Sequence, residues 1–257
     1  MAGAISTPVI RSQQQSAAVR TLASERLFYV IAGSVMLVVT GVGFRLFLAH
    51  GKGFGGGEIT RQILPLVVVH GLAMFSWVVL FLVQSVFILN GNPRLHMRIG
   101  VGGAVLAGIM VPLGSVAATL SARYNPDIYE PLGGARFFLA TMIGEMLCFG
   151  LFVGVALIYR RRPEIHRPMM LLASLMIISG SLGRCPYIGQ YALMPPLYVL
   201  GPALTLGALF LLLHWAMTRA LNRYDALGYV AMVVASCMFI VIGHSATWNQ
   251  IAGAILR

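Results

Sequence analysis

The chain predicts an all-α integral membrane bundle of seven transmembrane helices, and three observations carry that expectation. Hydrophobic residues make up 58% of the sequence and charged residues 10%, which is more apolar surface than a soluble domain of this length tolerates. Seven apolar runs follow one another near residues 27–49, 63–90, 99–121, 136–159, 167–190, 196–218 and 226–250, each long enough to cross a bilayer. The breaks between them are short and rich in Gly, Pro, Asn and Asp, so no soluble domain is inserted.

Residues 1–26 are polar, with Arg11, Arg20 and Arg26 and no compact apolar core ahead of a cleavage site, and read as a flexible cytoplasmic tail. Residues 27–257 form one membrane domain with its core helices within 63–190. The first run ends near Arg45, followed by a Gly-rich loop that holds Lys52, the only lysine. A retinal Schiff base needs a lysine inside a membrane helix, so the position of Lys52 speaks against that chemistry.

The second run carries His70, Met74, Trp77, Phe81 and Gln84 at alternating steps of four and three. They form a stripe about 21 Å long on one helix face. The third run restarts behind Leu95-His96-Met97-Arg98-Ile99-Gly100, and Pro112 with Gly114 is expected to interrupt it. In the fourth, Glu145 lies eight or nine residues from the nearest loop, deep enough to demand a partner, for which Arg184 and His70 are the choices. The fifth opens on His166-Arg167-Pro168-Met169-Met170, with Pro168 in the first turn. Arg184 follows His166 by eighteen residues, five turns, so the two share a face. Pro202 interrupts the sixth, and His214 beside Trp215 reads as an ordinary interfacial residue. His244 lies near the end of the seventh.

The formal charge of +11 comes from basic residues in the short connecting segments, where they act as topology signals, so nucleic acid is not a partner. Eleven of the eighteen basic residues fall on one side if the N-terminus is cytoplasmic, with Arg160-Arg161-Arg162 the densest run. The expectation is a multi-pass protein of a bacterial inner membrane with the N-terminus inside and the C-terminus external. That topology sorts the polar residues into an outer layer of Arg45, His70, Glu145, Arg184 and His244 and an inner one of His96, His166 and His214. Arg45 and Arg184 are also close enough to helix ends to snorkel.

The set His70 with Gln84, Leu95-His96-x-Arg98-x-Gly100, His166-Arg167-x-Met169-Met170 and Arg184 resembles a broad group of bacterial multi-pass membrane proteins of uncharacterised activity. It is distantly similar to a small membrane protein of cytochrome oxidase assembly. The resemblance covers roughly residues 63–185 and implies a four-helix core bearing His70, His96, His166 and Arg184. Met97 and Pro168 depart from its pattern.

Two imidazoles from different helices, with arginines for the propionates, are what bis-histidine haem b requires. His96 and His166 with Arg98 and Arg167 form the inner candidate site, and His70 and His244 with Arg184 the outer one. A transition metal held by His70, Glu145 and His244 is the neighbouring reading, with Cu(I) suited by the methionines. Cys148, Cys185 and Cys237 show no ligand spacing, and no Cys-x-x-Cys-His motif is present to attach haem covalently. No catalytic motif assigns an enzyme activity. A transporter or channel for a small solute or ion is the alternative class. A third is an assembly subunit working by helix contacts, with the lipid bilayer and another membrane protein or a second copy as partners, for which Gly150-x-x-x-Gly154 would allow close approach.

Overall fold

Apolar runs of this length have one way to satisfy their backbone in lipid, which is to bond every N–H within the segment. A computed structural model, which describes residues 8–53, 56–186 and 195–257, is accordingly helical throughout with no strand among the described residues. The helices are α1 (Pro8–Gly43), α2 (Arg45–His50), α3 (Leu64–Leu89), α4 (Pro93–Tyr124), α5 (Ala135–Ile158), α6 (Pro163–Leu182), α7 (Pro195–Thr218), α8 (Arg223–His244) and α9 (Ala246–Ile255). A 3-10 segment, Pro126–Leu132, joins α4 to α5.

Among the described residues six segments are long and apolar enough to cross a membrane: Thr21–Gly43 within α1, then α3, α4, α5, α6 and α8. Their outward faces carry exposed Val69, Leu72, Val105, Leu147, Leu151, Val230 and Val241. Large aliphatic residues displayed on every side are what a lipid solvent selects. The protein is therefore a multi-pass integral membrane protein. Within α7 the stretch Ala203–Thr218 is apolar but shorter, so among the described residues six segments meet the length and hydropathy of a crossing and the expected seventh is not among them.

The bundle is organised around α6, which packs on α1, α3, α5, α7 and α8. In its membrane window 72% of the residues are buried, against 17% for α3, so α6 is the core helix and the stripe on α3 is one wall of it. That stripe does face inward at Trp77 and Phe81, both buried. Trp77 donates its indole N–H to Ser174 Oγ of α6 at 3.1 Å and meets Phe149 edge to face at 4.9 Å. This satisfies the one polar atom of a large buried ring.

Several boundaries differ from expectation. Residues 8–26 continue α1 as helix where a flexible tail was expected, since Gln, Ala, Arg, Leu and Glu there have good helix propensity. The first apolar run breaks at Phe44 and the last at Ser245, whose hydroxyl accepts from Trp248 N and caps α9. Pro112 does not interrupt α4, which runs unbroken through it, and α7 likewise contains Pro202. The fifth run ends as helix at Leu182, where Arg184 Nη1 donates to the Gly180 carbonyl at 2.7 Å; its expected end at residue 190 lies outside the described residues. Elsewhere the turn chemistry holds: Asn92 and Asn222 accept from Leu95 N and Tyr224 N to cap α4 and α8.

Candidate functional site

One end of the bundle gathers the starts of α4, α6 and α8 with the ends of α3, α5 and α7, and there polar side chains meet. Helix α4 begins at Pro93 and α6 at Pro163, so His96 and His166 occupy their first turns and face each other. Their ring centres are 6.2 Å apart and nearly perpendicular. His166 Nδ1 lies 2.9 Å from the Ala156 carbonyl of α5. A carbonyl only accepts, so Nδ1 carries the proton and Nε2 keeps its lone pair.

Gln84, at the end of the α3 stripe, sets the other ring. Its amide lies between the His96 carbonyl and Gly100 N–H, which orients the NH2 toward the carbonyl at 3.0 Å and the oxygen toward the amide at 3.1 Å. The same NH2 then donates to His96 Nδ1 at 2.6 Å. His96 therefore holds its proton on Nε2 and acts as a fixed N–H donor. The pair presents one lone pair and one N–H, not two lone pairs.

The second expected arginine, Arg98, is exposed, and Arg167 is taken by Glu25 of α1 at 2.9 Å. For a bis-histidine haem the donor set thus fits at His166 and does not fit at His96, and one of the two propionate partners is already paired. Metal-bound imidazoles usually donate their other N–H to a carbonyl, carboxylate or water, and of this pair His166 does so and His96 does not.

Next to this pair lies a contact that the local sequence did not reveal. His214 of α7 is buried, with Nδ1 2.8 Å from Asp225 Oδ2 in the first turn of α8. The atoms are close enough for an ionic contact but lack hydrogen-bond alignment. Phe28 stacks on His214 at 4.6 Å, and the buried Tyr29 hydroxyl has no partner. His214 is therefore a core residue of the bundle and not an interfacial one. The signal available in sequence was Asn222 as a helix cap, which places Asp225 on a first turn instead of in a loop.

Farther into the bundle Glu145 is 2% exposed. Its partner is Ser179 of α6, which donates to Oε2 at 2.7 Å, while Oε1 has none. The expected pairing with Arg184 or His70 is not formed: no ion pair involves Glu145 among the described residues. A small hydroxyl one helix away replaces the cation. His70, about 9 Å from the start of α3 at 1.5 Å per residue, is half-buried with Nδ1 unpartnered. Arg184 acts on it electrostatically and on Tyr129 as well. Arg184 also lies over the Phe44 ring at 4.9 Å, and Arg45 donates to its carbonyl.

His244 stands apart, bonded to the Ile240 carbonyl at 2.8 Å and resting 4.7 Å from Phe137. No hydrogen bond or ring contact joins His70 to His244 among the described residues, and His70, Glu145 and His244 do not gather: no group of three such ligands comes together among the described residues. No protein-family model, curated protein or solved structure matches the chain.

Proposed function

We propose that this membrane protein moves protons through the bilayer, alone or coupled to a small solute, with His166, Glu145 and His70 as the exchanging groups. The carrying observation is Glu145, deep in the bundle with one hydroxyl partner, no cation and a free oxygen. Binding a proton removes an uncompensated charge from the bilayer interior, and releasing it restores one, so the group can be loaded and unloaded only through neighbours that accept the proton. His166 offers the Nε2 lone pair near one end and His70 an unpartnered Nδ1 toward the other. His96, locked by Gln84, orients what approaches His166 and does not itself exchange.

The test is proton uptake into dye-loaded proteoliposomes under an imposed potential. Uptake above protein-free vesicles, abolished in Glu145→Gln and His166→Gln, is the expected result. Equal uptake by wild type, both variants and empty vesicles overturns the proposal.

A second reading is supported by the bond from His166 Nδ1 to Ala156 O, which presents Nε2 as a single imidazole ligand for a transition metal or haem iron. The redox or respiratory-assembly role implied by the resemblance in residues 63–185 belongs here. Such a group would supply electron transfer. Stoichiometric metal or a Soret band in purified protein, lost in His166→Ala and retained in His96→Ala, would favour it.

The topology belongs to the same proposal. Seven crossings in a bacterial inner membrane, with the N-terminus cytoplasmic, are supported by the arginine asymmetry and by α7, whose end returns to the start of α6: Asn222 Nδ2 donates to Glu164 O at 2.9 Å.

A further inference from the structure

The opposite end of the bundle contains a cavity of about 480 Å³ between the α4 end, the 3-10 segment, the α5 start and α9. It is within the size range of small-ligand sites. Arg123, Arg136, His244 and Asn249 supply its polar wall, with Phe137 and Leu256 on the apolar side.

Arg136 has no hydrogen-bond or ion-pair partner for its guanidinium among the described residues. Its backbone is nevertheless fixed, because Trp248 Nε1 donates to the Arg136 carbonyl at 2.8 Å and ties α9 to α5. Gly253 of α9 makes room for it: a Cβ there would come 3.3 Å from Arg136 Nη2. Arg123 donates to the Arg257 backbone oxygen at 2.5 Å, which holds its side chain at the cavity edge with donors to spare. Glu130 is the only acid in the lining, so the basic groups outnumber it. The short helix α9 presents Ile251 and Ile255 outward beside the cavity, an amphipathic pattern suited to the membrane surface.

We infer that this cavity binds the phosphate group of an anionic amphiphile, with Arg123 and Arg136 on the oxygens and the apolar wall of Phe137 and Leu256 against the chain. Guanidinium pairs phosphate through parallel N–H donors, which a lysine would not reproduce. The site is independent of the histidine pair and of the proton-transfer proposal.

The probes are dihexanoyl phosphatidylglycerol, the matching phosphatidylcholine and inorganic phosphate, each titrated into the full chain in zwitterionic detergent while thermal unfolding and binding heat are followed. Phosphatidylglycerol should bind and raise the unfolding temperature, with Arg136→Gln and Arg123→Gln each weakening binding about tenfold or more, while Arg94→Gln at the other end leaves it unchanged. Equal binding of inorganic phosphate supports the anion site and assigns it a soluble ligand instead of a lipid. Binding of phosphatidylcholine as tightly as phosphatidylglycerol, no binding of either anion, or equal loss in Arg94→Gln overturns the inference. Arg136→Lys separates fold from recognition: it keeps the charge, and it should recover stability without recovering full affinity.

Discussion

At Glu145 a single hydroxyl decides the cost of a buried acid. Ser179→Ala removes the one hydrogen-bond partner the carboxyl has among the described residues, and leaving such a group unsatisfied costs about 1–3 kcal/mol. Replacing both, Glu145→Leu with Ser179→Ala, should be less damaging than the serine change alone, and Glu145→Gln should be nearly neutral for stability because the amide oxygen still accepts from Ser179. Unfolding in detergent measures all three. An intact Ser179→Ala protein would mean that the hydrogen bond contributes nothing. The sequence made Glu145 visible through its depth, yet not its partner, because serine is common in apolar helices and a charged partner was sought. His96 and His166 were legible as neighbours since both open helices on one side, while the proton positions depended on Gln84, whose reach across from α3 no local pattern reports. Nitrogen-15 spectra of labelled histidines should therefore show His166 with Nδ1 protonated and His96 with Nε2 protonated. Gln84→Ala frees His96 Nδ1, and its spectrum should change to a mixture of tautomers while that of His166 stays fixed.

Among the elements, α6 was expected to be one core helix of four and proves to be the one on which α1, α3, α5, α7 and α8 pack. Its serines, Ser174 and Ser179, serve Trp77 and Glu145 from neighbouring helices, so a helix of only moderate hydropathy is tolerated at the centre because its polar atoms are bonded. Close approach happens in part where the sequence pointed, since an added Cβ at Gly150 would lie 3.1 Å from Val111 of α4, and more tightly elsewhere. At Gly154 an added Cβ would meet nothing within 4 Å, whereas at Gly43 it would lie 2.2 Å from the Ser181 carbonyl of α6. A GxxxG spacing marks helices that are able to pack closely, and which glycine is used depends on where the neighbour crosses. Gly43→Ala must push α1 away from α6 against backbone that cannot rotate aside, and a loss of about 1–3 kcal/mol is expected from such overpacking. Gly154→Ala serves as the control and should be silent. Unfolding midpoints of the two proteins in the same detergent give the comparison.

For the whole molecule, direction follows from which ends touch. The Glu25 to Arg167 pair fixes the start of the α1 membrane segment beside the start of α6, and Arg45 against Arg184 fixes the end of α1 beside the end of α6. Asn222 on Glu164 returns the chain to the first of these ends before α8, and Arg123 on Arg257 brings residue 257 to the second. Between Arg184 and Asn222 the described helix is α7, which packs on α6 and α8, and the proposed seventh crossing falls on it. In the proposed orientation the run Arg160-Arg161-Arg162, at the first end, faces the cytoplasm. Reporter fusions after Arg61, Arg136 and Arg257 should read as external, and fusions after Arg94, Arg161 and Arg223 as cytoplasmic. A cytoplasmic signal after Arg257 together with an external one after Arg61 would mean that α7 does not cross and that six spans are the true count. Reversal of all six signals would leave the fold intact and invert the orientation, placing the histidine pair outside and the arginine-lined cavity in the cytoplasm.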